Sequence, residues 1–218
     1  MKQFLFLFLL VSALSANAQD AIPVSKEPFH KNVFENEYIR VLDVHISPGD
    51  TTRFHKHETP SVFISLHPVR TGSQVIIEDG SASILSLDRK ITFEGFYKSP
   101  RIHRVWNRDT SIFHVMDIEV LTKGDKDIGT PIAGEAFKQL FDAAQVRTYR
   151  VTLKSNQDIE IKTSAAVLVV GLVDASNVMV NKKSFAKQGD FLFIPPSEKI
   201  KLINKSPQEY SFALLELK

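Results

Sequence analysis

Apolar and polar residues alternate along most of this chain in short runs broken by turn signals. Runs rich in Val, Ile and Phe at 38–46, 62–67, 74–78, 82–87, 112–121, 148–153, 166–173, 177–180, 191–194, 199–203 and 210–215 predict strands. The punctuation between them is "SPGD", "EDGS", "NRDT", "KQGD" and "NKSP". Many short strands at such spacing predict an all-β sandwich or barrel. One stretch follows a different period: "GEAFKQLFDAAQ", 134–145, sets Phe137, Leu140, Phe141 and Ala144 on one helical face. It follows the polar stretch "TKGDKDIGTPIAG", so 126–145 reads as a linker and a helix joining two β halves.

The two halves resemble each other. Set without gaps, "FENEYIRVLDVHISPG" (34–49) lies over "FDAAQVRTYRVTLKSN" (141–156), matching Phe34 with Phe141, Arg40 with Arg147 and Val44 with Val151. The same offset places His55 on Lys162 and His57 on Ser164. With one inserted residue, "SPRIHRVWNRDT" follows "PPSEKIKLINKS", bringing Asn107 onto Asn204 and leaving His103 without a histidine counterpart. The second half is expected to keep the scaffold without metal-binding side chains.

Composition narrows the classes. The opening "MKQFLFLFLLVSALSANAQD" has a basic start, an apolar run and the small-residue pattern Ala16-Asn17-Ala18, which predicts a signal peptide over 1–18 and a periplasmic or secreted mature chain. The apolar run is short for a transmembrane helix, and no later stretch is long enough, so no membrane contact is expected after cleavage. The chain has no cysteine, which excludes disulfides, thiolate ligands and cysteine nucleophiles. With 27 basic against 25 acidic residues and no basic stripe, nucleic acid is not an expected partner. Neither a Gly-x-Ser-x-Gly elbow nor a phosphate-binding glycine loop occurs.

The chemistry concentrates in "TTRFHKHETPSV", 51–62. Alternate residues of a strand share a face, so His55 and His57 can aim at one metal ion while Lys56 points away. Two ligands hold a metal poorly, and His103 in "RIHRVWN" is the best third. Both stretches resemble the two characteristic motifs of the cupin superfamily. Gly49, His55 and His57 fit the first motif, and Gly95, Pro100, His103 and Asn107 fit the second in order. "GDFLFIPP", with Gly189 and Pro195, fits the start of the second motif again. The resemblance covers about residues 34–121, with 141–218 as a degenerate copy. It implies a bicupin of two jelly-roll barrels: 19–125 with the metal site, and 146–218 without one. Within the superfamily, three-histidine sites resemble those of some thiol and diketone dioxygenases.

This sequence departs from the family where the motif glutamate should stand. Ser61 and Val62 occupy those positions, and Glu58 reaches the site only if Pro60 bends the strand. Three neutral imidazoles would leave a divalent ion (Fe, Mn, Ni, Cu or Zn) with open positions and uncompensated charge, suited to anions or an activated water.

Further residues are candidates for the substrate's surroundings. Arg40 alternates with Leu42, Val44 and Ile46; it either binds a substrate carboxylate or forms an ion pair at the barrel end, and the matching Arg147 favours the ion pair. His114 is either a fourth ligand or second donor, or a hydrogen-bonded core residue. Tyr97 and Trp106 either line the pocket or pack. His30, His45 and His67 have no supporting context and read as surface residues. The function expected is a metal-dependent reaction, oxygenation or isomerisation, on a small polar or anionic molecule. The alternative is a periplasmic metal or small-ligand binder without turnover. A homodimer through the outer sheets is the family expectation.

Overall fold

The computed structural model describes residues 21–67, 69–76, 82–85, 91–96 and 99–218. The first half supplies β1 (Ile22–Pro23), β2 (His30–Glu35), β3 (Ile39–Ile46), β4 (His55–His57), β5 (Ser61–His67), β6 (Thr71–Val75), β7 (Ala82–Leu85), β8 (Ile91–Glu94), β9 (Arg101–Asn107) and β10 (Phe113–Val120). The second supplies β11 (Phe137–Asp142), β12 (Val146–Leu153), β13 (Gln157–Lys162), β14 (Ala166–Gly171), β15 (Val178–Val180), β16 (Lys183–Ser184), β17 (Phe191–Ile194), β18 (Lys199–Asn204) and β19 (Tyr210–Leu217). Among the described residues the only helix is one 3-10 turn, Val24–Lys26. The all-β expectation holds.

Each half folds into two sheets, and the strand orders correspond. In the first half they run β1-β4-β9-β6-β7 and β2-β3-β10-β5-β8; in the second, β13-β18-β15-β16 and β11-β12-β19-β14-β17. The side-chain equivalences are as close. Arg40 lies opposite Glu35 and Glu119 in its ladders, as Arg147 lies opposite Asp142 and Glu216. A register shift falls between Asn32 and Phe34 and recurs between Gln139 and Phe141.

The expected helix at 134–145 is a strand instead. Phe137–Asp142 pairs antiparallel with β12, with the bulge between Gln139 and Phe141. Bulged strands change face by one residue. Phe137 therefore packs against the interior of the second half, while Phe141 packs against the core between the halves. An i, i+4 pair of aromatics, which imitates a helical face, here serves two different cores. Edge pairing to β12 satisfies the backbone that a helix would otherwise have satisfied.

Three cores follow from strand alternation. The sheet carrying β3 and β10 packs its outer face on the sheet carrying β12 and β19, joining Ile39, Val41, Ile64, Met116 and Ile118 to Val146, Leu168, Val170 and Leu215. Inside the second half, Tyr149, Phe185, Tyr210 and Phe212 are fully buried with Leu153, Ile200, Leu202 and Leu214. Inside the first half the buried apolar cluster among the described residues is Val24, Leu42, Val44 and Ile46, with Phe29, Val105, Phe113 and Val115 packed against it. The remaining interior there is a cavity of about 230 Å³.

Candidate metal centre

The cavity lies between the two sheets of the first half. Residues 42, 44 and 46 of β3 and 113, 115 and 117 of β10 face inward, as strand alternation requires. The β4–β9 ladder sets His55 directly opposite His103 and His57 opposite Arg101. His30 enters from β2, which pairs with the far side of β3. Four imidazoles thus meet on the cavity wall. The His55 ring centroid lies 4.5 Å from that of His103, 4.7 Å from His30 and 5.1 Å from His57. The His57 and His103 centroids are 5.0 Å apart.

The outer nitrogens of His30, His55 and His103 have partners. His30 Nδ1 donates to Glu27 Oε2 at 2.8 Å, and His55 Nδ1 donates to the Arg53 carbonyl at 2.9 Å. Those acceptors fix the tautomer and leave Nε2 of both rings with its lone pair. His55 Nε2 is buried without a hydrogen-bond partner. His103 Nδ1 lies 3.3 Å from Ser73 Oγ, and His57 Nδ1 lies 3.4 Å from Asp117 Oδ2. The Nε2 atoms of His57 and His103 are 3.1 Å apart. Two nitrogens bound to one ion at about 2.1 Å each stand about 3 Å apart when their bonds are near perpendicular. Ligand atoms of His30, His55 and His57 all fall within 4.8 Å of one another and can hold a metal ion. Outer partners that orient the rings, an orphaned lone pair and neutral nitrogen donors all fit a divalent transition metal.

Electrostatics keeps His55, His57 and His103 neutral. Burial, then the neighbouring imidazoles, pull His57 well below its usual range. Burial and the charge of His30 lower His55 to about 4, and burial and the charge of His55 lower His103 to about 2. Burial would raise Glu27, but hydrogen bonds from His30, Phe29 N–H and Arg53 N–H bring its carboxyl below the ordinary range. Asp117 shows the opposite behaviour. It is fully buried, and burial followed by the charge of Glu119 pushes it up to about 8, against the lowering effect of the Ser61 hydroxyl.

The structure brings His55, His57 and His103 together and corrects other expectations. His30 is not a surface residue: it is 7% exposed and stands in the wall. Its signal in the sequence is the Glu27-x-x-His30 pair, which the missing HxH spacing hides. Asp117 was also legible, as a carboxylate on the inward face of an apolar strand. Glu58 points away and pairs with Lys56, so Pro60 does not return it to the site. Arg40 lies beyond the cavity, held by Glu35 and Glu119; Arg101 is the arginine on the wall, paired with Glu94. His114 shares its face with Met116 and Ile118, but that face is the outer one, where it bonds Asp43. Trp106 also faces outward, covering Gly72 beneath Arg108. Tyr97 lies outside the described residues.

The second half keeps the ladder and loses the donors. Counting from the equivalent asparagines 107 and 204, Ile200 takes the place of His103 and stands opposite Ile161, where His55 stands in the first half. The ungapped alignment had placed Lys162 there; the ladder moves the match by one residue. Leu214 and Phe212 take the places of Asp117 and Val115 and help to fill the interior.

No family model matches this chain, and no curated protein matches it. Solved structures do. YhhW from Escherichia coli superimposes with a TM-score of 0.61 at 13% identity over 88% of this chain and 89% of its own. A cupin 2 conserved barrel domain protein from Leptotrichia buccalis gives 0.55 at 10% identity, over 86% and 88%. Salicylate 1,2-dioxygenase from Pseudoaminobacter salicylatoxidans, in a structure with gentisate, gives 0.56 at 9% identity, over 84% and 70%. In its paired sheets and in these superpositions, this chain has the cupin fold.

Proposed function

We propose that this protein is an exported bicupin whose first barrel holds one divalent transition-metal ion on His55, His57 and His103, with His30 as a further donor, and acts on a small molecule. The observation that carries the reading is the convergence of four imidazoles on one cavity wall, with Nδ1 of His30, His55 and His103 held from outside and the Nε2 atoms of His57 and His103 3.1 Å apart. When bound, the ion supplies a Lewis acid able to polarise an oxygen of the ligand. Val44, Ile46, Phe63, Val105, Phe113 and Val115 would take an apolar body, so the anionic or polar group belongs at the histidine end. Arg101 puts positive charge on the same wall, tempered by Glu94. The likeness to salicylate 1,2-dioxygenase supports oxygenation over isomerisation as the reaction type.

One observation favours the second reading, a metal or small-ligand binder without turnover. Four imidazoles with Asp117 behind one of them would leave an ion fewer open positions than three imidazoles alone. The test is elemental analysis of protein purified from the native host, followed by oxygen uptake of the Fe(II)-loaded protein with gentisate and salicylate as probes. Metal at one equivalent with ligand-dependent oxygen uptake supports the enzyme. Metal without uptake, for any reconstituted ion, supports the binder, and no bound metal sinks both. Export rests on the leader at 1–18 and is tested by whether the mature chain begins at Gln19.

A further inference from the structure

A second cluster of histidine and carboxylate side chains lies on the other face of the same sheet. His45 and His114 are direct cross-strand partners of β3 and β10. Their rings stack with centroids 4.0 Å apart and planes 23° from parallel. Asp43 follows on the same face, with Oδ1 2.7 Å from His114 Nε2 and Oδ2 3.6 Å from His45 Nδ1. One ligand atom from each residue can be chosen so that all three lie within 4.8 Å of one another. The neighbouring positions Val44 and Val115 point into the cavity, so the sheet itself separates this cluster from the inner histidines.

We propose that Asp43, His45 and His114 form a second cation site, open to solvent, for a borderline divalent transition-metal ion such as Zn²⁺. Donors sharing one such ion at about 2.0–2.1 Å stand no more than about 4.2 Å apart, and the contacts of Asp43 Oδ1 with His114 and of Asp43 Oδ2 with His45 both fall within that limit. Two nitrogens and one carboxylate match borderline ions better than Ca²⁺ or Mg²⁺. His114 is 14% exposed and packs toward Gly189 of the second half, where even a methyl group would come within 3.4 Å of the ring. The bond to Asp43 and the cover of the second half restrict the ring, so part of the cost of ordering it is met before the ion arrives. His45, 48% exposed, leaves the remaining coordination positions to water. Lys31, opposite Asp43 in the ladder, sets a positive charge nearby and makes this the weaker of the two sites.

Calorimetric titration of the chelator-stripped full mature chain with Zn²⁺ tests the proposal. Two equivalents are expected, the weaker one lost in His45→Ala and in Asp43→Asn while the tighter one stays. His45 is exposed enough that its replacement leaves the melting temperature of the ion-free protein unchanged. His57→Ala should lose the tighter equivalent and keep the weaker, so failure of the inner site and failure of the outer one give different patterns. If His45→Ala and Asp43→Asn both titrate like the unaltered chain, the outer site does not exist.

Discussion

His57 and His103 stand 46 positions apart in sequence, yet their Nε2 atoms lie 3.1 Å from each other. In the ion-free protein one of them must donate to the other, which uses up a lone pair that a metal would need. Binding an ion replaces that contact with two coordinate bonds. His103→Ala and His57→Ala should each abolish the tighter metal equivalent. Adding metal to about 100 times the dissociation constant of the tighter site should stabilise the unaltered protein by about 2.7 kcal/mol through that site, and both variants should lack this part of the shift. Thermal melts with and without metal measure this directly; equal shifts in all three proteins would contradict it.

Glu27 acts on the site through His30. Its carboxylate accepts the His30 Nδ1 proton and two backbone N–H groups, and it is 2% exposed. Glu27→Gln should keep the fold yet weaken metal binding by roughly 10- to 100-fold, the usual cost of losing a carboxylate behind a ligating imidazole. Competition with a chromophoric chelator reads the change. An unaltered affinity would mean that His30 does not touch the ion.

Burial of the histidines and of Asp117 predicts a stability curve for the ion-free protein. The three imidazoles are depressed in the folded state, so the open chain takes up protons first as pH falls below about 6.5, and stability drops from there toward pH 4. For His55 alone, a folded value near 4 corresponds to about 3 kcal/mol once both states are protonated. Asp117 works in the other direction: its value is raised to about 8, so its contribution is intact below the ordinary carboxylate range and disappears as pH rises through 8. Asp117→Asn should therefore raise the stability of the ion-free protein at pH 8 by roughly 1–3 kcal/mol and have little effect at pH 4. Chemical denaturation at the two pH values checks both signs.

Much of the site was legible in the chain because it follows strand alternation. His55 and His57 share a face at two-residue spacing, and His103 precedes an asparagine that closes a turn, so a metal site could be read from residue types and order alone. What the sequence hid depends on which face meets which neighbour. His114 and Arg40 keep the alternation assigned to them, but His114 lies on the outer face and Arg40 at the end of the inner one. His30 reaches the cavity through the pairing of β2 with β3, a contact that local periodicity does not contain. The strand at Phe137–Asp142 imitated a helix because its bulge spaces two aromatic residues four apart. The internal repeat was visible from Arg40 and Arg147, and the structure adds its reason: each arginine lies between two carboxylates at the same point of its sheet.

The two asparagines that ended the sequence alignment give the last test, because they do the same work in both halves. Asn107 Nδ2 donates to the carbonyls of Ile46 and Ser111, and its Oδ1 accepts from Asp109 N–H. Asn204 Nδ2 donates to the carbonyls of Leu153, Lys154 and Gln208, and its Oδ1 accepts from Ser206. Each side chain is at most 2% exposed, so removal leaves buried carbonyls without a donor. Asn107→Ala and Asn204→Ala should each cost roughly 1–3 kcal/mol per group left unpaired. Asn107→Asp should be worse than Asn107→Ala, since a carboxylate would face the Ile46 and Ser111 carbonyls with no proton to give. The halves differ in one respect: Asn107 fixes the end of β9, which carries His103, whereas Asn204 ends a strand with no metal donor. Asn107→Ala should therefore also weaken the inner metal equivalent, while Asn204→Ala lowers the melting temperature and leaves metal affinity as it was.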